Sequence, residues 1–190
     1  MTLPLLQYVL IRSGRRSLHR RIGYASLGLA AVVATSGVYV VRMMAYSNIA
    51  NFHLADVKFV WLDLTGIVLF VIYVAFAIVA ARRFDIRLHV TALAASALIP
   101  LEAALERVFV NLWPSLAPDF DTALYASLVS LEVVCAAIVW FEWRSGRVRW
   151  PMPVLLGYYL VMHATLTPLA SSPGFQRFSN WFGTAGRAVN

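Results

Sequence analysis

Five apolar runs, each of about membrane-spanning length, dominate the sequence. An α-helix needs about 20 apolar residues to cross the hydrocarbon core of a bilayer. The chain has 190 residues, of which 61% are hydrophobic and 13% charged, and this is more apolar surface than a soluble domain of that size buries. We therefore predict an all-α integral membrane bundle of five transmembrane helices in a single domain, residues 1–190. The predicted spans are residues 22–41, 59–81, 89–113, 122–143 and 153–169.

The third run is the least apolar, because it contains Pro100, Glu102, Glu106 and Arg107. The arginines decide whether it spans. If it does, every basic cluster lies on one side of the membrane, and the loop 113–121 on the other side has two acids and no base. Because cytoplasmic loops are enriched in Lys and Arg, we predict a bacterial inner-membrane protein with a cytoplasmic N-terminus and a periplasmic C-terminus. The clustered arginines are Arg12, Arg15, Arg16, Arg20, Arg21, Arg82, Arg83, Arg87, Arg144, Arg147 and Arg149.

The same clusters contain 11 of the 16 Lys and Arg residues behind the net charge of +7, and they do not form one continuous basic face. Nucleic acid is therefore not a predicted partner. The predicted partner is the lipid bilayer, with other membrane subunits or a second copy of the chain as further partners. Cys135 lies alone in an apolar run, which excludes an internal disulfide and favours a place in the core.

Both ends of the chain are predicted to form short interfacial helices. In the N-terminal stretch, helical spacing places Leu5, Tyr8, Val9 and Arg12 on one face. After the Ser-Ser-Pro-Gly turn, an aromatic set has comparable spacing. Helices of this kind lie along the headgroup region and anchor a bundle. The aromatic residues are Phe175, Phe178, Trp181 and Phe182.

Ionisable residues inside the spans carry most of the functional information, because they usually face the bundle interior or a wet cavity. Counting 1.5 Å per residue from the outer helix ends puts Asp63 roughly 6 to 8 Å deep. The same count gives about 10 Å for Glu106 and His163, and about 15 Å for Glu102 and Glu132. The sequence thus predicts one polar pocket in the outer half of the bilayer. Its members are Tyr39, Arg42, Asp63, Glu102, Glu106, Arg107, Glu132, Tyr159 and His163.

Proline at position 100 predicts a kink just before Glu102, because proline has no amide hydrogen and clashes with the carbonyl of Ser96. A kink beside a buried acid is typical of a helix that lines a cavity. Tyr159, His163 and Thr167 share one face of the fifth span. These patterns place the predicted pocket between several helices.

Charge counting defines what such a pocket would bind. Four acids face two arginines, so full ionisation leaves about two negative charges uncompensated in a medium that disfavours them. A cation, bound protons or a small polar ligand would restore the balance. A divalent metal is one candidate, with carboxylate and imidazole ligands. The metal-ligand set would be Glu102, Glu106, Glu132 and His163.

A purely structural network is the alternative, with Glu106 paired to Arg107 and Asp63 paired to Lys58 or Arg42. Such a chain would serve as an accessory subunit of a larger membrane complex. No complete catalytic signature is present, so the sequence does not decide whether the chain is an enzyme.

A haem-binding electron-transfer protein is the other alternative. Two histidines lie at the predicted cytoplasmic ends of spans and two toward the outside, which is an arrangement typical of b-type cytochromes. The candidate axial ligands of haem b are His163, His53, His19 and His89.

Several short motifs extend over most of the chain. Leu-His-Arg-Arg-Ile-Gly at residues 18–23 opens the first span, Arg-Leu-His at residues 87–89 opens a later one, and Pro-Gly-Phe-Gln-Arg-Phe at residues 173–178 lies near the end. In these motifs the chain resembles a set of uncharacterised bacterial multi-span membrane proteins that open their first helix with a His-basic-basic-hydrophobic-Gly motif. The set usually has basic residues after the second histidine, where this chain has Val90 and Thr91. The resemblance implies a membrane architecture and a bacterial origin, and it implies no site.

Overall fold

The computed structural model describes residues 9–10 and 12–185, and most of these residues are helical, with no strand among them. Five helices are long and apolar enough to cross a membrane, when the interrupted stretch Ile86–Leu112 is counted once. This agrees with the predicted all-α bundle and with the number of predicted spans. The helices are α1 Arg16–Ala50, α2 Leu54–Arg82, α3 Ile86–Leu98, α4 Leu101–Leu112, α5 Phe120–Arg144, α6 Pro151–Ala170 and α7 Pro173–Thr184.

Three helices begin at a side chain that accepts a hydrogen bond from the first turn. Asp85 accepts from the backbone N–H of Leu88 at the start of α3 (3.0 Å), and Ser172 does so at the start of α7. At the start of α5 the Thr122 N–H donates to the Asp119 carboxylate over 2.7 Å. This hydrogen bond holds the pKa of Asp119 below its ordinary value, because it stabilises the charged form.

The helices run up and down, so the bundle has two distinct ends. We call the end that carries Arg20, Arg82 and Arg144 the basic end, and the opposite one the far end. At the basic end the Tyr73 hydroxyl donates to the carbonyl of Pro151 over 2.9 Å and so ties α2 to α6. At the far end the buried Lys58 ammonium lies 2.5 Å from the Asp121 carboxylate and ties α2 to α5.

The main core lies between α2, α3, α5 and α6. Leu124, Leu128 and Leu131 on α5 are fully buried there, and they pack with Leu155 and Leu166 of α6. Cys135 is buried in the same cluster as a free thiol, as predicted. The first helix is different, because only its far-end portion has buried residues and the rest is largely exposed.

The C-terminal helix α7 folds back onto α1 and α2. The Phe175 ring meets the Trp61 ring of α2 edge to face with centroids 5.6 Å apart, while Trp181 stays exposed. Part of the apolar face predicted for the headgroup region is thus used for packing in the bundle. The predicted N-terminal interfacial helix falls largely on residues 1–8 and 11, which lie outside the described residues.

Candidate functional site

A cavity of about 320 Å³ lies in the middle of the helix bundle, toward the far end. Four elements line it: α1, α2, the junction of α3 and α4, and α6. Most of its wall is aliphatic, and the chemistry is carried by a few groups. The residues that line it with polar side chains are Ser36, Asp63, Glu102, Arg107, Tyr158 and Tyr159.

The junction of α3 and α4 forms one wall of the cavity. Pro100 has no N–H, and the helical hydrogen bonding is interrupted at residues 99–100. The Glu102 N–H donates to the carbonyl of Ile99 (3.3 Å), and the Leu98 carbonyl accepts from the Tyr159 hydroxyl (3.2 Å). The predicted break before Glu102 is therefore confirmed, and a hydroxyl of α6 satisfies a carbonyl beside it.

Two carboxylates from different helices face this cavity. Glu102 is only 4% exposed, and its carboxylate accepts a hydrogen bond of 2.8 Å from the Ser127 hydroxyl of α5. Asp63 on α2 is half-buried, and no hydrogen bond or ion pair from the described residues reaches its carboxylate. Each acid thus keeps acceptor capacity for a ligand, because a carboxylate offers about four lone-pair positions.

Arg107 on α4 is the cation nearest to these acids. Its guanidinium donates to the Ala103 carbonyl over 2.6 Å and lies exposed at the cavity. It is within electrostatic range of Asp63, Glu102 and the neighbouring buried Glu106, yet it forms no direct ion pair with any of them. Three carboxylates against one guanidinium leave an excess of two negative charges when all four groups are ionised.

Tyr158 is a cavity residue that sequence reasoning missed. Its hydroxyl donates to the Leu62 carbonyl over 2.9 Å and lies 3.2 Å from the Thr65 hydroxyl, so it bridges α6 and α2. The predicted polar stripe on α6 followed residues four apart from Tyr159, and Tyr158 lies on the adjacent face. The pairing of two consecutive tyrosines in an apolar span was the available signal.

Glu132 and His163 lie outside the cavity, so the prediction of one common pocket is wrong for these two residues. The His163 Nδ1 atom is 3.0 Å from the Glu132 carboxylate, and the Tyr125 ring packs beside the imidazole. The physical reason is helix rotation. On α5, Glu132 follows Ser127 by five residues, which turns the side chains about 140° apart.

The predicted metal-ligand set is accordingly divided between two places. Glu102 and Glu106 lie near the cavity, whereas Glu132 and His163 form their own pair. Among residues 9–10 and 12–185 there is no group of three or more His, Cys, Asp or Glu side chains placed to hold a metal ion.

Tyr39 and Arg42 were also predicted in the pocket and do not line it. The helix α1 turns Val33, Gly37 and Val41 toward the cavity, and Tyr39 is 64% exposed on another face. The angle between residues 37 and 39 is about 200° on a helix, which explains the difference. The alternative pairing of Asp63 with Lys58 is wrong as well, because Lys58 binds Asp121.

No histidine lines the cavity. At the basic end, His89 Nδ1 is 2.8 Å from the Ala77 carbonyl, and His19 lies within electrostatic range of His89. At the far end, His53 is exposed at the start of α2, and His163 is engaged with Glu132. None of the four histidines lies at the cavity described above, and haem binding stays a prediction.

Comparison with known proteins does not assign the chain to a family. No protein-family model, no curated protein and no solved structure matches the chain. The resemblance to bacterial multi-span proteins therefore stays a prediction. The class that the described part of the structure defines is an all-α bundle with five helices of membrane length, four of which line an acidic cavity.

Proposed function

We propose that this chain is a five-span protein of the bacterial inner membrane whose cavity binds a small organic cation carrying an ammonium group. The arginine clusters support the orientation, with the basic end cytoplasmic and the far end periplasmic. The exposed aromatic Trp181 on α7 supports an interfacial position for that helix at the periplasmic surface. In this orientation the cavity lies between the midplane and the periplasmic surface.

The single observation that carries the proposal is the charge imbalance around a half-open, mainly aliphatic cavity. Asp63 has no ion-pair partner among the described residues, and Glu102 accepts a hydrogen bond from one hydroxyl group. The Arg107 guanidinium lies within electrostatic range of three acids. Buried carboxylates are strongly destabilising unless a cation or proton compensates them. An ammonium ion supplies a positive charge and N–H donors, and its organic part fits the aliphatic wall.

A small organic cation fits this site better than a bare metal ion. Hard cations take six or more oxygen ligands, and of the oxygen-bearing side chains that line the cavity only the two carboxylates are not already engaged by backbone carbonyls. A volume of about 320 Å³ lies at the lower end of the range for small-molecule pockets. The tyrosine hydroxyls of Tyr158 and Tyr159 are engaged by backbone carbonyls, so they shape the wall and leave the acids to contact the ligand.

The test is thermal unfolding of the purified protein in detergent with hexylammonium chloride as the probe. Sodium chloride at the same ionic strength and neutral hexan-1-ol serve as probe controls. We expect hexylammonium alone to raise the Tm of the native protein, because a ligand that binds only the folded state stabilises it. Asp63→Asn and Glu102→Gln should each weaken the affinity by about tenfold or more, since each removes a charge-assisted contact.

Glu132→Gln is the matched control, because Glu132 is a half-buried acid of the same bundle that does not line the cavity. Its hexylammonium affinity should equal that of the native protein. Equal shifts in all four proteins, or no shift in the native protein, would show that the acids of the cavity bind no ammonium group.

A second candidate function, as a subunit of a larger membrane assembly, has one observation in its favour. His163 is 40% exposed on its side chain and is paired with Glu132 on the outer face of α5 and α6. Lipid disfavours an exposed polar pair at that depth, so contact with another membrane helix would stabilise it. Size-exclusion chromatography in mild detergent tests this proposal: His163→Leu with Glu132→Leu should convert an assembly to a monomer, and a monomeric native protein contradicts it.

A further inference from the structure

The cavity is open on one side of the bundle, between α1 and α4. Residues of both helices line it, but the packing partners of α1 are α2 and α7, and α1 has no extended contact with α4. The lining residues of α1 lie in the middle of that helix, far from both of its ends. The opening therefore faces sideways, at a depth that the bilayer occupies in the orientation proposed above.

The polar groups are arranged from the inside of this opening to its rim. Glu102 is the deeply buried acid, Asp63 is half-buried, and Arg107 is exposed. Beside them, Val33 and Val40 of α1 both line the cavity and expose 42% and 53% of their surface. A molecule that enters here thus meets aliphatic surface and a guanidinium first and carboxylates last.

Each of these groups selects a different part of a ligand. The carboxylates of Asp63 and Glu102 select an ammonium group. The Arg107 guanidinium has donors left after its bond to the Ala103 carbonyl, and its planar fork matches phosphate or carboxylate. One molecule satisfies both when it carries a positive and a negative group a few atoms apart. Such a zwitterion also compensates the charge of Arg107 with its anionic group and the charge of the acids with its cationic group.

The cavity volume restricts how much of the molecule enters. About 320 Å³ accommodates a headgroup but is small for a complete lipid. The acyl chains of a membrane amphiphile would therefore stay outside, against the exposed valines of α1. This is the side from which a bilayer component arrives without crossing either polar surface.

From this arrangement we infer that the ligand is a zwitterionic membrane amphiphile, whose ammonium–phosphate headgroup enters from the bilayer between α1 and α4. The inference rests on the proposed ammonium site and specifies its ligand. The ammonium group lies against Asp63 and Glu102, the phosphate contacts Arg107 at the rim, and the chains extend along α1.

The experiment compares three amphiphiles by their effect on the Tm of the full-length protein in detergent. The probes are dihexanoyl phosphatidylethanolamine with both charges, dihexanoyl phosphatidylglycerol with the negative charge only, and hexylammonium with the positive charge only. We expect the phosphatidylethanolamine to bind about tenfold more tightly than either of the other two, because it gains one further charge-assisted contact.

Arg107→Gln separates the two charged contacts. It should weaken phosphatidylethanolamine binding by about tenfold and leave hexylammonium binding unchanged or tighter, since it removes only the phosphate contact. Asp63→Asn should weaken both probes. Arg42→Gln is the matched control at the same end of the bundle, because Arg42 does not line the cavity, and it should bind all probes as the native protein does.

Two other outcomes would each contradict one part of this inference. Loss of hexylammonium binding in Arg107→Gln would show that Arg107 only maintains the site, and the zwitterion would be excluded. Free phosphoethanolamine that competes as well as the lipid would show a water-borne ligand and exclude entry from the bilayer. In both cases hexylammonium still binds the native protein through Asp63, so the proposed ammonium site is retained. The ammonium site itself would be contradicted if hexylammonium did not bind the native protein.

Discussion

Replacing Gly183 by alanine is expected to lower the free energy of unfolding by about 1–3 kcal/mol, as overpacking of a close contact does. A Cβ atom at this position would lie 2.7 Å from the backbone nitrogen of Tyr46 and 2.9 Å from the carbonyl carbon of Ala45. These are backbone atoms of α1, which cannot rotate aside as a side chain would. The close crossing of α7 over α1 therefore depends on glycine.

Gly174 on the same helix provides the control, because a Cβ added there meets no atom within 4 Å. Gly174→Ala should be neutral or stabilising by up to about 1 kcal/mol, as the loss of glycine flexibility in a helix predicts. Denaturant unfolding in mixed micelles gives both free energies, and hydrogen exchange over residues 173–184 should rise only in Gly183→Ala. Equal effects of the two substitutions would mean that α7 does not pack on α1 as described.

The sequence contains enough information to predict the spans, because their signals are local. Run length and the arginine clusters identify five helices, and Pro100 marks the break between α3 and α4. Each of these features acts through the residues immediately around it, by transfer into an apolar phase or by the loss of one N–H. Tertiary packing has little opportunity to override them.

The composition of the cavity is harder to predict, because depth along a helix and rotation about its axis are separate quantities. Counting residues gave Glu102 and Glu132 the same depth. Rotation then separates them, since Glu102 points to Ser127 and the cavity while Glu132 points to His163. The rotation of each helix depends on how its side chains pack against neighbours, and a single sequence with polar residues on several faces does not specify that packing.

The C-terminal segment shows a related limit. Its aromatic spacing predicted a helix with one apolar face, and a helix is present over Pro173–Thr184. Whether that face contacts lipid or protein depends on Gly183, whose missing side chain allows α7 to approach α1. A glycine in an amphipathic helix can allow close packing against another helix or can simply lower helix stability, and the sequence alone does not distinguish these two cases.

Glu102→Leu is expected to make the protein more stable while it abolishes ammonium binding. The carboxylate is almost completely buried, and one hydroxyl of Ser127 is its hydrogen-bond partner. Leucine has a similar volume and carries no charge to desolvate. The single Ser127 hydroxyl hydrogen can turn from the carboxylate to the Leu124 carbonyl, which lies 2.8 Å away, so the substitution leaves no orphaned donor.

The expected gain in the free energy of unfolding is about 1–4 kcal/mol, the range for replacing a buried ion pair by apolar residues of similar volume, because Glu102 has no direct ion-pair partner among the described residues that would be left uncompensated. Denaturant titration in mixed micelles measures it, and the hexylammonium shift in Tm measures binding in the same samples. Glu102→Gln is the intermediate variant, which removes the charge and keeps a hydrogen-bonding group for Ser127.

These two readouts separate a functional acid from a structural one. An acid retained for ligand binding reduces stability, so removing it should raise the unfolding free energy and eliminate binding together. An acid that stabilises the bundle through Ser127 and Arg107 should instead lower the unfolding free energy when it is removed, by leaving Arg107 with less compensation. A destabilised Glu102→Leu variant would therefore assign Glu102 to the fold and remove the main support for an ammonium site.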